Sequence, residues 1–339
     1  MERLCGSHAG DDRALRIEVL DLLRHAIGFD AHAWLLTDPR TAVGSSPLAD
    51  VPCLDRLPQL IRLKYLTDVN RWTTLAGAPS PVGLLQRDTA GAPASSLVWR
   101  ELQWACGVTD VASVVFADHL GCWGFLDLWR IQPAEAFAES DAALLSSLAP
   151  AVTTALRHCQ ARTFAAPPAL GRGDLGPMVL VLDDQLRLLS QTDAAATWLE
   201  ALLPAGGANR TIPAAAYNVG AQLLAVEHGT ALDPPSARVH VTGGLWATLR
   251  AARLDGDRIA VTIEETSGAD RLDLFRRCHA LSGREAEVLV HLAAGGSTRE
   301  LAATMFVSAH TVQDHLKSIF AKTGARSRRD LLSRALGVG

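Results

Sequence analysis

The sequence predicts a multidomain α+β protein: two antiparallel-sheet α/β domains followed by an all-α four-helix domain that contains a helix-turn-helix. Three observations carry this. The stretch from Leu281 to Leu336 holds four short helical patterns, each opening on a serine. Net charge changes sign along the chain, from −9 over residues 1–270 to +5 over residues 271–339. A Pro-, Gly- and Ala-rich stretch, Thr163 to Pro177, divides the acidic part, which at roughly 100–200 residues per domain suits two domains. The expected boundaries are 1–165, 175–266 and 271–339.

Residues 1–165 read as helix, strands, helix. An amphipathic helix over Asp12–Ile27 places Leu15, Val19, Leu22, Leu23 and Ala26 on one face. Strand-like runs follow at Ala31–Thr37, Val111–Ala117 and Trp123–Ile131. The Pro- and Gly-bearing stretch Gly77–Ser96 reads as loop, and a last helix, Ser140 to Arg162, as leading away from the domain. This order resembles a GAF domain, most visibly in Gly121, Trp123, Gly124, Leu126, Leu128 and Arg130, followed by Phe137 and Asp141. The resemblance implies a sensor-like fold and names no ligand. Trp34, Trp99, Trp104, Trp123 and Trp129 are candidates for lining a small-molecule pocket, since such sites favour aromatics. Plain core packing is the other reading of the same five residues.

Residues 175–266 open on MVLVL, an Asp-Asp turn and a second strand from Leu186 to Ser190. A helix follows these strands, then another near Pro213–His228, then strands at Ala237–Val241, Leu245–Ala252 and Ile259–Glu264. Turns at Gly243-Gly244 and Asp255-Gly256 separate the last three. The unit resembles a PAS domain through Asp183, the Leu186–Ser190 strand, Ala194–Ala196 and Leu199, with Thr192 where the family has asparagine. The middle of the unit looks worn beside a ligand-binding PAS domain, which favours a structural or dimerising role. A phosphorylated receiver domain does not fit. VLVLDD looks like its paired acids, but Asp233 sits beside Pro234-Pro235 and no lysine occurs between Lys64 and Lys317. A nucleotide-hydrolysing domain lacks its G-x-x-x-x-G-K-[ST] loop. Gly171, Gly173 and Gly176 spell G-x-G-x-x-G, yet Pro-Pro precedes them where the dinucleotide motif needs a strand, so they read as linker.

In the tail, Ser282 precedes Glu285 by three, Ser297 precedes Glu300 and Ser327 precedes Asp330. In each pair a hydroxyl and a carboxylate satisfy the orphan N–H groups of a helix start. Ser308 with Thr311 is a weaker cap. Gly295-Gly296 and Gly324 supply left-handed stops, and the turn at Val307-Ser308 joins the second and third helices as a helix-turn-helix. In the third helix Val312, Leu316, Ile319 and Phe320 share one stripe. That turns His310, Asp314, Lys317 and Ala321 outward, with Gln313 and Ser318 on the shoulders. The N-terminal half of such a helix meets base edges: Gln suits adenine, Asp the cytosine amino group, Lys guanine or phosphate.

The tail resembles the DNA-binding domain of LuxR/FixJ-type transcription factors. The matching residues include Leu281, Arg284, Glu285, Val288, Leu289, Gly295, Ser297, Glu300, Leu301 and Ala302. They continue with Val307, Ser308, Thr311, Val312, His315, Leu316, Ile319, Lys322, Gly324 and Arg328. The resemblance implies double-stranded DNA as partner. The candidate contacts are Thr298, Arg299, Ser308, His310, Thr311, Gln313, Asp314, Lys317, Lys322, Arg326 and Arg328. It also implies homodimerisation through Leu331, Leu332 and Ala335, and leaves room for contact with RNA polymerase. Thr298-Arg299 stands where the family has Asn-Lys, and Gln313 where it has Lys. The second change should lower nonspecific phosphate affinity.

Six cysteines form no C-x-x-C pair, so no zinc site or disulfide framework is expected. Cys106, His119 and Cys122 read as filler and loop rather than a metal or redox cluster. No nucleophile–base pair stands out, so no enzyme, cofactor or metal is expected. No apolar run reaches the ~18 residues of a membrane span and the first residues lack a signal-peptide core. The expectation is a cytoplasmic one-component bacterial regulator. Its upstream domains either bind an unidentified small molecule or serve only as dimerisation or docking scaffolds.

Overall fold

The computed structural model describes residues 11–165, 178–193, 198, 202 and 212–337. The first unit begins with α1 (Asp12–Ala26), capped by the Asp11 carboxylate, which accepts from the Arg13 and Ala14 N–H groups. Strands β1 (Ala31–Thr37) and β2 (Gly44–Asp50) follow, then α2 (Leu57–Leu66), β3 (Val82–Leu84), β4 (Val108–Asp118), β5 (Gly121–Ile131) and the long α3 (Glu139–Thr163). The sheet is antiparallel in the order β2-β1-β5-β4-β3. One face packs on α1 and α3 through Leu15, Trp34, Leu126, Leu128 and Leu156. The other carries α2 and short helical turns.

Several expectations change here. Leu22 is exposed and Leu20 takes its place in the core. The Gly77–Ser96 stretch contributes β3, hydrogen-bonded to β4 at Val82, Gly83 and Leu84, because Pro79 and Pro81 only end the preceding turn and leave Val82 free to pair. The long helix does not lead away. Ala142, Leu145, Ala149, Val152 and Leu156 press it onto the sheet.

The second unit holds β6 (Met178–Leu182), β7 (Leu188–Gln191), α4 (Ala214–Glu227), β8 (Ser236–Thr242), β9 (Leu245–Arg253) and β10 (Ile259–Glu265). Its antiparallel sheet runs β7-β6-β10-β9-β8, the same order as the first. The second strand starts later than expected. Asp183 Oδ1 accepts from the N–H groups of Gln185 and Arg187, and buried Leu186 sits at φ 59° within that turn. The helix expected after the second strand and the Thr163–Pro177 linker lie largely outside the described residues.

The two units share a core. Val43, Ile61 and Tyr65 of the first join Leu180, Val219, Leu249 and Val261 of the second, because α4 lies between the second sheet and the pair α2 and β2. A further helix, absent from the sequence reading, follows: α5 (Gly268–Cys278), capped by Ser267, whose Oγ accepts from Asp270 N. It crosses the domain boundary placed at residue 271. Then come α6 (Gly283–Ala293), α7 (Thr298–Thr304), α8 (Ala309–Thr323) and α9 (Arg328–Leu336).

α5 is bonded on every side. Arg277 Nη1 donates to Leu120 O at 2.6 Å, Arg271 Nη1 to Gly244 O at 2.6 Å, and Arg271 Nη2 to Arg334 O at 3.2 Å. At the centre stands Arg238 on β8. Its Nε and Nη2 donate to Asp38 at 2.7 and 2.8 Å, and its Nη1 to Asp273 Oδ2 at 2.9 Å. Asp38 and Arg238 are both buried. Burial alone would lower the Arg238 pKa, but the two carboxylates raise it above the ordinary arginine value. One guanidinium thus ties the first unit, the second and the helix leading to the tail.

Candidate nucleic-acid interface and buried cavity

All four serine starts of the tail act as helix caps. Ser282 Oγ accepts from Glu285 N at 3.3 Å, Ser297 Oγ from Glu300 N at 3.3 Å, Ser308 Oγ from Thr311 N at 3.0 Å and Ser327 Oγ from Asp330 N at 3.1 Å. Val312, Leu316 and Ile319 are buried, which orients α8 so that His310, Gln313, Asp314 and Lys317 face solvent. Asp314 lies between two neighbours, 3.6 Å from His310 Nε2 and 3.1 Å from Lys317 Nζ. The Lys317 hydrogen bond holds its carboxyl below the usual range. The acid therefore offsets one of the cations on this face. Ser308 is exposed and Thr311 half-buried, and their hydroxyls sit 2.9 Å apart. Phe306, in the turn before α8, holds a left-handed φ of 55° and is 96% exposed. The sequence reading passed over it.

The basic candidates divide. Arg299 and Arg326 are exposed. Arg328 Nη2 donates to Thr298 Oγ1, joining the starts of α7 and α9. Lys322 has a structural role as well: its Nζ lies 2.6 Å from Glu285 Oε2 and donates to Ala280 O. Glu285 also accepts from Ser318 Oγ and Ser282 N, each at 2.6 Å. Burial pushes the Glu285 carboxyl up, but the Lys322, Ser318 and Ser282 donors outweigh it and hold it at about 2. Lys322 thus clamps α8 onto α6 while its side chain stays exposed.

The residues assigned to dimer contacts are also placed differently. Leu331 and Ala335 are 0% exposed and Leu332 half-buried. α9 packs on α5, in a cluster with Leu274, Phe275 and Phe164. Phe164 in turn stacks on Trp246 at 5.5 Å. Within the chain, Leu331 and Ala335 therefore cover α5, and Leu332 lies at the edge of that contact.

Of the five tryptophans offered for a pocket, Trp129 lines the cavity between the first sheet, α2 and α4. Along β5, Phe125, Asp127 and Trp129 face α2 and the short turns, whereas Leu126 and Leu128 face α1 and α3. A bulge between Phe116 and Ala117 of β4 shifts the register opposite Trp123, and Trp123 joins Trp34 in the α1–α3 core. Trp34 stacks there on Phe116 at 5.2 Å. Trp99 and Trp104 pair at 5.2 Å, with Trp104 59% exposed.

The cavity, about 40 Å³, lies between the first sheet, α2 and α4; Leu60, Lys64, Trp72, Asp127, Trp129 and Asn218 line it. Lys64 Nζ sits 2.8 Å from Asp127 Oδ2, and Asp127 Oδ1 accepts from Ser113 Oγ at 2.6 Å and Trp72 Nε1 at 2.9 Å. Both charges are about 95% buried or more. Asn218 donates to Ala214 O at 2.8 Å, and its Oδ1 is buried without a hydrogen-bond partner. Burying two charges is costly even when they are paired. The sequence reading missed Asp127 and Asn218. The isolated lysine in an Arg-rich chain was the one visible signal.

Residues 279–335 match the family model described as bacterial regulatory proteins, luxR family. The chain is 34% identical over 123 residues to a probable HTH-type transcriptional regulator, GfsR, of Streptomyces halstedii, covering 35% of this chain and 48% of that protein. It is 32% identical over 96 residues to a probable csgAB operon transcriptional regulatory protein of Salmonella typhimurium, covering 28% of this chain and 44% of that one. The chain thus spans about half the length of the curated relatives it matches. A solved structure of SdiA in complex with octanoyl-rac-glycerol aligns over 100% of this chain and 93% of that one, at 12% identity and a TM-score of 0.31, too low to carry an argument. Among the described residues no helix is long and apolar enough to cross a membrane. The carboxy-terminal unit, with its capped helices and helix-turn-helix, is a LuxR-family domain.

Proposed function

We propose that this protein is a one-component transcriptional regulator that binds double-stranded DNA through the exposed N-terminal half of α8. The observation that carries the reading is the solvent-facing row His310, Gln313, Asp314 and Lys317 on the second helix of a helix-turn-helix in a LuxR-family domain. Gln313 and Asp314 supply base-edge chemistry. Arg299, Arg326 and the Thr298–Arg328 pair supply phosphate contacts, which position without reading sequence. Two copies on a roughly palindromic site remain part of the proposal, with the contact formed outside Leu331 and Ala335. The test is binding of the full chain to duplex DNA at rising salt. Affinity should fall steeply from 50 to 200 mM; a flat response removes the phosphate contacts.

The upstream units are proposed to set whether α8 is presented productively, with an effector entering between α2 and α4. The buried Lys64–Asp127 pair and the unpartnered Asn218 Oδ1 support this. The cavity is small beside the ~300–1,000 Å³ of ordinary ligand pockets, so an effector has to part the two helices. That movement strains the core shared by the two units, and Arg238 links this core to α5. The scaffold reading draws on the same shared core, and a small-molecule panel scored by thermal stabilisation of the full chain separates the two. Stabilisation that disappears in Asn218→Leu supports an effector.

A further inference from the structure

The turn between α7 and α8 holds an aromatic side chain where it has almost nothing to pack on. Of the chain's eight phenylalanines, six are buried and Phe320 is partly buried against the core, whereas Phe306 is 96% exposed. Its backbone is costly as well, with φ at 55°, a left-handed conformation that a bulky side chain disfavours. The other three helices of the tail stop on glycine at this point: Gly295 after α6 at φ 87°, Gly324 after α8 at 66° and Gly337 after α9 at 68°. Glycine adopts that conformation without strain. At the end of α7 the closing bonds run from Phe306 N to Ala303 O at 3.3 Å and from Val307 N to Ala302 O at 3.0 Å. Both are main-chain bonds that glycine would make equally well. Met305 is buried and Val307 packs against the core, so the chain is pinned on either side and residue 306 is left outside. Neither burial nor capping accounts for a phenylalanine here, and a strained, exposed side chain is an outlier of the kind found at functional sites.

Position says what the ring would meet. Phe306 lies two residues before Ser308, the cap of α8, and Ser308, Ala309 and His310 continue its exposed surface into the row that ends at Lys317. We propose that Phe306 is a base-contacting residue that packs its ring on the C5-methyl group of a thymine at the edge of the site read by α8. This contact presupposes the DNA-reading role proposed above for that helix. Thymine is the base whose major-groove edge carries a methyl group, and apolar side chains read it. His310, Gln313, Asp314 and Lys317 are all polar, so an apolar contact is the kind of base-edge recognition that the row lacks. The left-handed backbone, anchored by Met305 and Val307, presents the ring without the cost of ordering a flexible loop on binding.

The test starts from a duplex selected by the wild-type full chain out of random sequences. Affinity is then measured for that duplex and for copies in which each thymine in turn is replaced by deoxyuridine, which lacks only the methyl group. At one position the wild type should lose about fourfold, the factor for returning one methyl-sized group to water. Phe306→Gly should bind the unmodified duplex at least about fourfold more weakly and be indifferent to deoxyuridine at that position. It should unfold in urea at no lower concentration than the wild type, because glycine relaxes the turn. Three results would overturn the contact while leaving DNA reading by α8 intact. Equal affinity of Phe306→Gly and wild type would assign the ring to a protein partner. A weaker variant that still responds to every deoxyuridine as the wild type does would place the ring on the sugar–phosphate backbone. A lower urea midpoint for Phe306→Gly would show that the side chain is held for stability. A wild type that selects no duplex would remove the DNA reading itself, and the thymine contact with it.

Discussion

At the scale of single residues, the tail shows how one side chain can be claimed by two roles. Lys322 has the charge and position of a phosphate contact, and only its distance to Glu285 (2.6 Å) shows it as a clamp. The clamp has a pH signature. Glu285 is held at about 2 against an ordinary 4.5. A depressed carboxylate contributes stability that is present above its unfolded pKa and lost as pH falls through the folded one. Glu285→Gln should therefore cost on the order of 3 kcal/mol at pH 7, and the deficit should shrink as pH falls from about 4.5 towards 2. Urea unfolding followed by helical circular dichroism measures this, and a pH-independent deficit would show that charge is not the cause. The serine caps were legible because they depend on partners three residues away. The Lys64–Asp127 pair was not, because its partners meet only when α2 folds onto β5.

At the scale of elements, most boundaries were written in the sequence. Pro213 and His228 flank α4 as read, and Asp12, Ala31 and Ile131 begin or end their elements as expected. α5 was missed although it carries the same cap as its neighbours, with Ser267 Oγ accepting from Asp270 N at 3.2 Å. Its short apolar face, Leu274, Phe275 and Cys278, becomes visible as a core only once Phe164 and Leu331 are packed against it. α9 illustrates the reverse case. The family resemblance implied dimer contacts for its apolar face, and within the chain that face packs on α5. Ser267→Ala should cost about 1 kcal/mol and raise amide exchange across α5 and α9 together. Faster exchange confined to the first turn of α5 would show that the two helices are not one unit.

At the scale of the whole molecule, Arg238 is the point where three parts meet. Its interactions join residues 32 to 200 positions apart, so no local pattern announces them. Replacing it with methionine leaves Asp38 buried without its cation, and breaking a buried pair in this way costs about 3–5 kcal/mol. Arg238→Met should lower the urea midpoint. It should also shift the DNA affinity of the full chain although every exposed residue of α8 is intact. Unchanged affinity in a folded variant would mean that the junction holds the units together without transmitting anything between them. The shared core around Val43, Ile61 and Val219 joins the two upstream units, and α5, bonded to both and packed on α9, is one route from them to the tail.

The central claim is that the exposed half of α8 reads DNA, and Asp314 tests it most directly because it both faces solvent and holds Lys317. Binding-site selection from random duplexes should be run with the full chain, wild type beside Asp314→Ala. The account predicts a defined site for the wild type and, for the variant, preference relaxed by roughly tenfold at one base pair. Lys317, released, should add about one phosphate contact to the salt dependence. Identical selected sites and identical salt slopes would contradict it.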